Sequence, residues 1–330
     1  MFMSEAMRLL IAHDGSTYAD AALDDLRRAG LADEAEALVV TVVEDFLMPP
    51  DSFEAGSPIP ARSRRVLSAL AAAQARSRQT LIEAESKINE AVSRLRADFP
   101  VWQVRTEIPQ GAAAEAILRR SEEWKADLIV VGTHGRSALG RLILGSVSQK
   151  IVTDARTSVR IGRVVTPERV KPDTAAVCLV VAVDGSLGSE AAVRAVARRR
   201  WTEGSEAHVV AADSRVSQTT LAATVSTATE TIAESNEAEF TKMLAGVKAA
   251  AEMLHDAGLK VSTMVKEGEA QRVLLEATES LKADCLFVGS RGLSGWLERW
   301  RFGSVAAGVA PRAACSIEVV REREQGAATQ

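Results

Sequence analysis

The sequence predicts two tandem doubly wound α/β domains, each a parallel sheet with helices on both faces. Two observations predict it. Continuous apolar runs of strand length alternate with amphipathic stretches of helical spacing, the pattern of strands buried on both faces. Two separate signatures also recur in the same order. MRLLIAHDGST at 7–17 is echoed by VCLVVAVDGSL at 177–187, and ADLIVVGTHG at 126–135 by ADCLFVGSRG at 283–292. Ordered repetition of this kind marks a duplicated domain.

In the first half RLLIAH reads as a buried strand and YADAALDDLRRAGL as a helix ending near Gly30. ALVVTVVE is the second strand. A long helix carries Leu81, Ile88, Val92 and Leu95 at helical spacing. VWQVRTEIP is the third strand, EAILRRSEEW a helix and DLIVVG the fourth strand. VSQKIVTDA reads as helical and SVRIGRVV as the last strand. The second half repeats this order through CLVVAV, AHVVAA, a helix with Phe240, Met243, Val247 and Leu254, then VSTMVKEG, CLFVGS and SIEVV.

These elements place the domains at 1–166 and 177–330, with residues 167–176 as linker inside the proline-bearing stretch RVVTPERVKPDTAAV. Between the second strand and long helix of the first half, DFLMPPDSFEAGSPIPARSRR reads as a loop, because prolines stand at 49, 50, 58 and 60. From Ala55 to Ile82 there are five arginines and no acid, which is a solvated surface or an anion or partner site.

The 330 residues suit two domains, and 47% apolar with 25% charged residues is ordinary globular chemistry. A formal charge of −4 gives no general attraction to nucleic acid or anionic membrane, and no apolar run reaches spanning length. The expected location is cytoplasmic. Cys178, Cys285 and Cys315 sit in strand-like contexts without CxxC spacing, so they read as buried reduced thiols.

In an open parallel sheet, ligands bind beyond the carboxyl ends of the strands. Asp14 to Ser16, Thr41 to Val43 and the loop GTHGRSALGRLILGS (132–146) converge there in the first half. Glycines admit close approach of phosphate oxygens, and a helix opening near Gly145 and Ser146 would aim free N–H groups at an anion. A carboxylate at Asp14 can accept ribose hydroxyls or hold a metal ion bridging phosphates; equally, DGS after a strand is a good turn and helix cap. His134 reads as a loop side chain rather than a base, so no residue is assigned to catalysis and any hydrolysis should be slow.

A strand ending in DGS, with a fourth strand followed by G-x2-G-x9-G-S, resembles the universal stress protein family along nearly the whole chain, as two copies. The resemblance implies five strands per domain in the order 3-2-1-4-5, with the last strand pairing with a partner domain. It also implies the ATP-binding branch, with ATP bound together with Mg2+, in a nucleotide-dependent stress-response or regulatory protein. Carried over by position, Ala12, Asp14, Val42, Val131, Gly132, Gly135, Gly145, Ser146 and Val147 would contact nucleotide, with Arg136 an extra phosphate contact or a surface residue. In the second copy Asp184, Gly289, Gly292, Gly303, Ser304 and Val305 match, but ten residues rather than nine separate Gly292 from Gly303. The longer loop holds Trp296 and Trp300, which either fill the space or leave the site open, and Val210 and Ala211 are both candidates beside adenine. The alternative is a nucleotide-free scaffold acting through protein contacts. Implied partners are the other domain of the chain, a second copy as homodimer, and a regulatory protein.

Overall fold

The computed structural model describes residues 6–44, 61–134, 144–165, 169–214, 228–290 and 303–322. The first half runs β1 (Met7–Ala12), α1 (Thr17–Leu26), β2 (Ala35–Val40), α2 (Ala61–Asp98), β3 (Gln103–Glu107), α3 (Ala113–Glu123), β4 (Leu128–Gly132), α4 (Ser146–Asp154) and β5 (Ser158–Gly162). The second half repeats it with β6 (Cys178–Ala182), α5 (Leu187–Ala197), β7 (Glu206–Asp213), α6 (Ala228–Asp256), β8 (Lys260–Glu267), α7 (Ala270–Ser280), β9 (Cys285–Gly289), α8 (Ser304–Val309) and β10 (Ser316–Val320).

All ten strands join one sheet in the order β3-β2-β1-β4-β5-β10-β9-β6-β7-β8. Each half therefore has the expected order 3-2-1-4-5, read inward from its outer edge. Pairing is parallel within each half and antiparallel only where β5 meets β10.

Strand burial follows from the apolar runs: β4, LIVVG, is buried along its whole length, as a strand covered on both faces must be. Val159 and Ile161 of β5 join Val319 and Ile317 of β10 in one apolar cluster that spans both halves. The opposite face carries two separate clusters. One, around Leu9, Leu23 and Leu95, belongs to the first half; the other, around Leu179, Val193 and Leu254, belongs to the second.

Three expectations shift. β2 stops at Val40, and Val43 makes only an isolated bridge to Gln110. Residues 61–65, read as loop, begin α2, while 45–60 lie outside the described residues. Leu81 is only half-buried; Ala84, Ile88, Ala91, Val92 and Leu95 supply the buried stripe of α2.

Candidate functional site

Each half opens its site with the turn after its first strand. Asp14 Oδ1 accepts from the Ser16 amide at 3.0 Å, Gly15 takes φ +76°, and Ser16 Oγ caps α1 by accepting from the Ala19 amide at 3.2 Å. The turn thus uses the carboxylate of Asp14, the left-handed freedom of glycine and the hydroxyl of serine together. Asp184, Gly185 and Ser186 repeat it, with Ser186 Oγ also donating to Asp184 Oδ1 at 2.6 Å.

Beside this turn the ends of β2 and β4 are tied in. Thr41 Oγ1 donates to the His13 carbonyl at 2.7 Å. The Gly145 amide donates to the Thr133 carbonyl at 2.8 Å, and Ser148 Oγ to the Gly132 carbonyl at 2.7 Å. These two bonds pin the start of α4 against the end of β4. The Gly145 amide is therefore engaged, and among the described residues of this loop and helix the first helical amides, Ser146 to Ser148, have no helical carbonyl one turn earlier and can serve a ligand. Gly145 has φ −63° and ψ 156°, a conformation open to any residue.

Gly132 is required for a different reason from phosphate approach. A Cβ there would lie 2.5 Å from the Tyr18 carbonyl oxygen, so glycine lets α1 sit on the end of β4. Gly289 repeats this against Gly188 at 2.4 Å. Val131 is buried in the core behind the site. Ala12, Val42 and Val147 are partly buried on the same cluster, an apolar surface beside the polar turn and the helix start.

His134 lies outside helix and strand, as expected of a loop residue, but it is buried, 8% exposed. Its ring lies 5.0 Å from that of Tyr18, and its carbonyl accepts from Ser16 Oγ. Burial, and then the neighbouring Arg163 guanidinium, hold its imidazole below the usual histidine range. Its Nδ1 has no hydrogen-bond partner among the described residues.

The second copy has the same frame with a shorter helix. The Gly303 amide donates to the Ser290 carbonyl at 2.6 Å, and α8 has six residues against nine in α4. Gln271 Nε2 donates to the Ser304 carbonyl at 3.1 Å. Val183 bonds to Val210 as His13 bonds to Val40, so the counterpart of Val42 is Ala212, neither Val210 nor Ala211. Ala212 and Val305 are partly buried on the shared cluster, as Val42 and Val147 are. Gly135, Arg136, Gly292, Trp296 and Trp300 lie outside the described residues.

The sequence reading placed Thr41 at the site but missed Ser148 and Lys87. Lys87 lays its aliphatic stem over Gly15, within 2.4 Å of where a Cβ would stand. In the second copy Gly246 occupies this place and α6 approaches the backbone of Gly185 directly. The spacing between the two DGS motifs could have carried Ala12 onto Ala182 and Val42 onto Ala212.

Among the described residues no cluster of three or more His, Cys, Asp or Glu side chains could hold a metal ion. A separate open groove of about 580 Å³ between α6 and β8, lined by His255, Asp256 and Ser262, contains none of the predicted site residues. Among the described residues no helix is long and apolar enough to cross a membrane.

The model of the universal stress protein family matches residues 5–162 and again 179–321. A universal stress protein from Thermus aquaticus is 35% identical over 158 residues, covering 47% of this chain and 97% of that protein. Another, from Methanocaldococcus jannaschii, is 38% identical over 72 residues, 21% of this chain and 42% of the relative's length. Among solved structures, a universal stress protein from Archaeoglobus fulgidus superposes with a TM-score of 0.59 at 19% identity, covering 96% of both chains. A further structure, a Pseudomonas aeruginosa protein described as a putative universal stress protein, gives 0.51 at 14% identity over 96% of this chain and 94% of its own.

Proposed function

The chain belongs to the universal stress protein family as two tandem domains, and from that premise we propose that it binds ATP at the carboxyl edge of its first domain. The observation that carries the reading is the meeting of two unlike surfaces. Half-buried Ala12, Val42 and Val147 offer apolar contact to a base. Next to them α4 opens with amides suited to an anion, on a residue, Gly145, whose backbone conformation does not itself demand glycine. A ligand approaching the backbone closely would account for glycine at this position.

In this reading Ala12, Val42 and Val147 hold the base. Asp14, with its carboxylate fixed by the Ser16 amide, faces ribose hydroxyls or a cation held by the phosphates. Ser146 to Ser148 receive phosphate oxygens through backbone N–H groups. Bound ATP with Mg2+ would supply a polyphosphate anion whose charge the metal partly neutralises. Binding then serves as a switch for a regulatory partner in a stress response, with the protein acting in the cytoplasm. The second domain offers a shorter helix and a smaller residue, Ala212 in place of Val42, and so a weaker site.

Titration calorimetry with ATP-Mg tests this. Gly145→Val, whose backbone angles valine can adopt, should weaken binding by about tenfold or more, roughly 1.4 kcal/mol or more, with little change in thermal midpoint. Absence of heat at millimolar nucleotide from the unmutated chain would sink the proposal. That outcome would leave the nucleotide-free scaffold reading, whereas unchanged affinity in Gly145→Val would remove the start of α4 from the site.

A further inference from the structure

β5 and β10 are corresponding strands of the two halves, Ser158 matching Ser316, so Arg160 and Glu318 hold corresponding positions. When two copies of one strand pair antiparallel, one position must face its own counterpart. Here that position is Arg160 opposite Glu318, flanked by Ile161 opposite Ile317 and Val159 opposite Val319. Both charged side chains are essentially excluded from solvent, each residue 1% exposed.

The pair is the centre of a row of four. Asp25 Oδ2 accepts from Arg160 Nε at 2.6 Å, and Arg160 Nη1 donates to Glu318 Oε2 at 3.1 Å. Glu318 Oε1 accepts from Arg199 Nη2 at 2.5 Å, and Arg199 Nη1 donates across the seam to the Ala29 carbonyl at 2.9 Å. Asp25 and Arg160 come from the first half, Glu318 and Arg199 from the second. The row therefore alternates in sign only when unlike halves meet. Two first halves would place Arg160 against Arg160, and two second halves Glu318 against Glu318, in a site where little water remains to screen them. The network appears in only one copy per half: the position matching Asp25 in α5 is Ala195, and the position matching Arg199 is Ala29.

We propose that the β5–β10 seam is a selective interface that accepts an unlike half and rejects a like one. One chain then closes on itself, and a second copy cannot add through like seam strands. A homodimer must use another surface or exchange whole halves.

The direct test cuts the folded chain. A specific protease site is inserted beside Val170, which is 68% exposed. The nicked protein is mixed with a 15N-labelled nicked copy in mild urea until labelled and unlabelled halves scramble, then returned to buffer for native mass spectrometry. The expected result is one-to-one complexes of unlike halves with no like pairs. Like pairs, or separation into single halves, would overturn the proposal. A second measurement uses the intact chain. Glu318→Arg reproduces the Arg-Arg meeting, and Glu318→Gln removes the charge without reversing it. The reversal should melt at least about 5 °C below the Gln variant, the scale expected for a buried like-charge contact. Equal or higher stability for Glu318→Arg would likewise overturn the proposal.

Discussion

Cys178 is half-buried, and its thiol is pushed up to about 11, first by burial and then by the Asp284 carboxylate. Burial pushes Cys315 up to about 12 and Cys285 well above the usual thiol range, against the opposing pull of nearby arginines. At pH 8 a thiol titrating near 11 is ionised in about one molecule in a thousand, and the thiolate is the reacting form. An aromatic disulfide reagent at pH 8 should therefore find no fast thiol in the folded chain and three after unfolding. One fast native thiol would show that a cysteine is more open than its surroundings allow. The pH sign follows: raised folded pKa values stabilise fully below the ordinary thiol range, and that contribution is lost as pH climbs through and beyond it. His134 acts on the acid side. Its lowered imidazole pKa means that the unfolded chain takes up the proton first, so its contribution is lost as pH falls through the ordinary histidine range. At this scale sequence reading named residues better than it named their work. Asp14 was legible as turn or ligand, and its bond to the Ser16 amide shows the turn. Gly132 read as a phosphate glycine, yet the body that needs the space is the Tyr18 carbonyl, a long-range contact that no local pattern reports.

At the scale of elements, α4 and α8 are each held at the far end by the opposite half. Arg321, just past β10, donates to the Val152 and Thr157 carbonyls of the first half at 2.5 and 3.3 Å. Arg163, just past β5, donates to the Ala310 carbonyl of the second half at 2.5 Å. These are corresponding residues making corresponding bonds. Val152 and Ala310 lie at helix C-termini, where carbonyls lack intrahelical donors and welcome a cation. Removing a buried donor leaves such a carbonyl unpaired, at about 1–3 kcal/mol. Arg163→Met should cost this much in denaturant unfolding, and the half-buried Arg321→Met toward the lower end. No change in either would mean that water replaces both bonds. The strands and most helices were legible because their apolar periods are long and regular. The start of α2 was not: the prolines before it suggested that the loop ran on, but the ARSRR segment that follows them is compatible with helix and joins a long amphipathic stretch. The reciprocal arginine bonds were also hidden, because nothing in the string shows which half an arginine will reach.

For the whole molecule, the sheet runs unbroken from β3 to β8, and its two faces are built differently. On one face a single apolar cluster crosses the seam, joining Leu10, Ile151 and Ile161 to Leu286, Val309 and Ile317. On the other, the cores of the two halves stay separate, and the row Asp25, Arg160, Glu318 and Arg199 stands at the seam between. The duplication was legible from the paired motifs, but the fused sheet follows from which strands are left without a second neighbour: β5 and β10 can each finish their hydrogen bonding only on the other. A shared core means that neither half can unfold without exposing apolar surface on the other. The chain should therefore melt in one calorimetric transition, with calorimetric and van't Hoff enthalpies in agreement. Ile151 is fully buried in the shared cluster. Truncating it by Ile151→Ala should cost about 2–5 kcal/mol and move that single transition down as a unit. Ligand binding to the folded state should move it up as a unit, so ATP at the first site would protect the second half as well. Two resolved transitions, or an Ile151→Ala chain in which only the first half melts early, would show that the charged row separates the halves more strongly than the apolar face joins them.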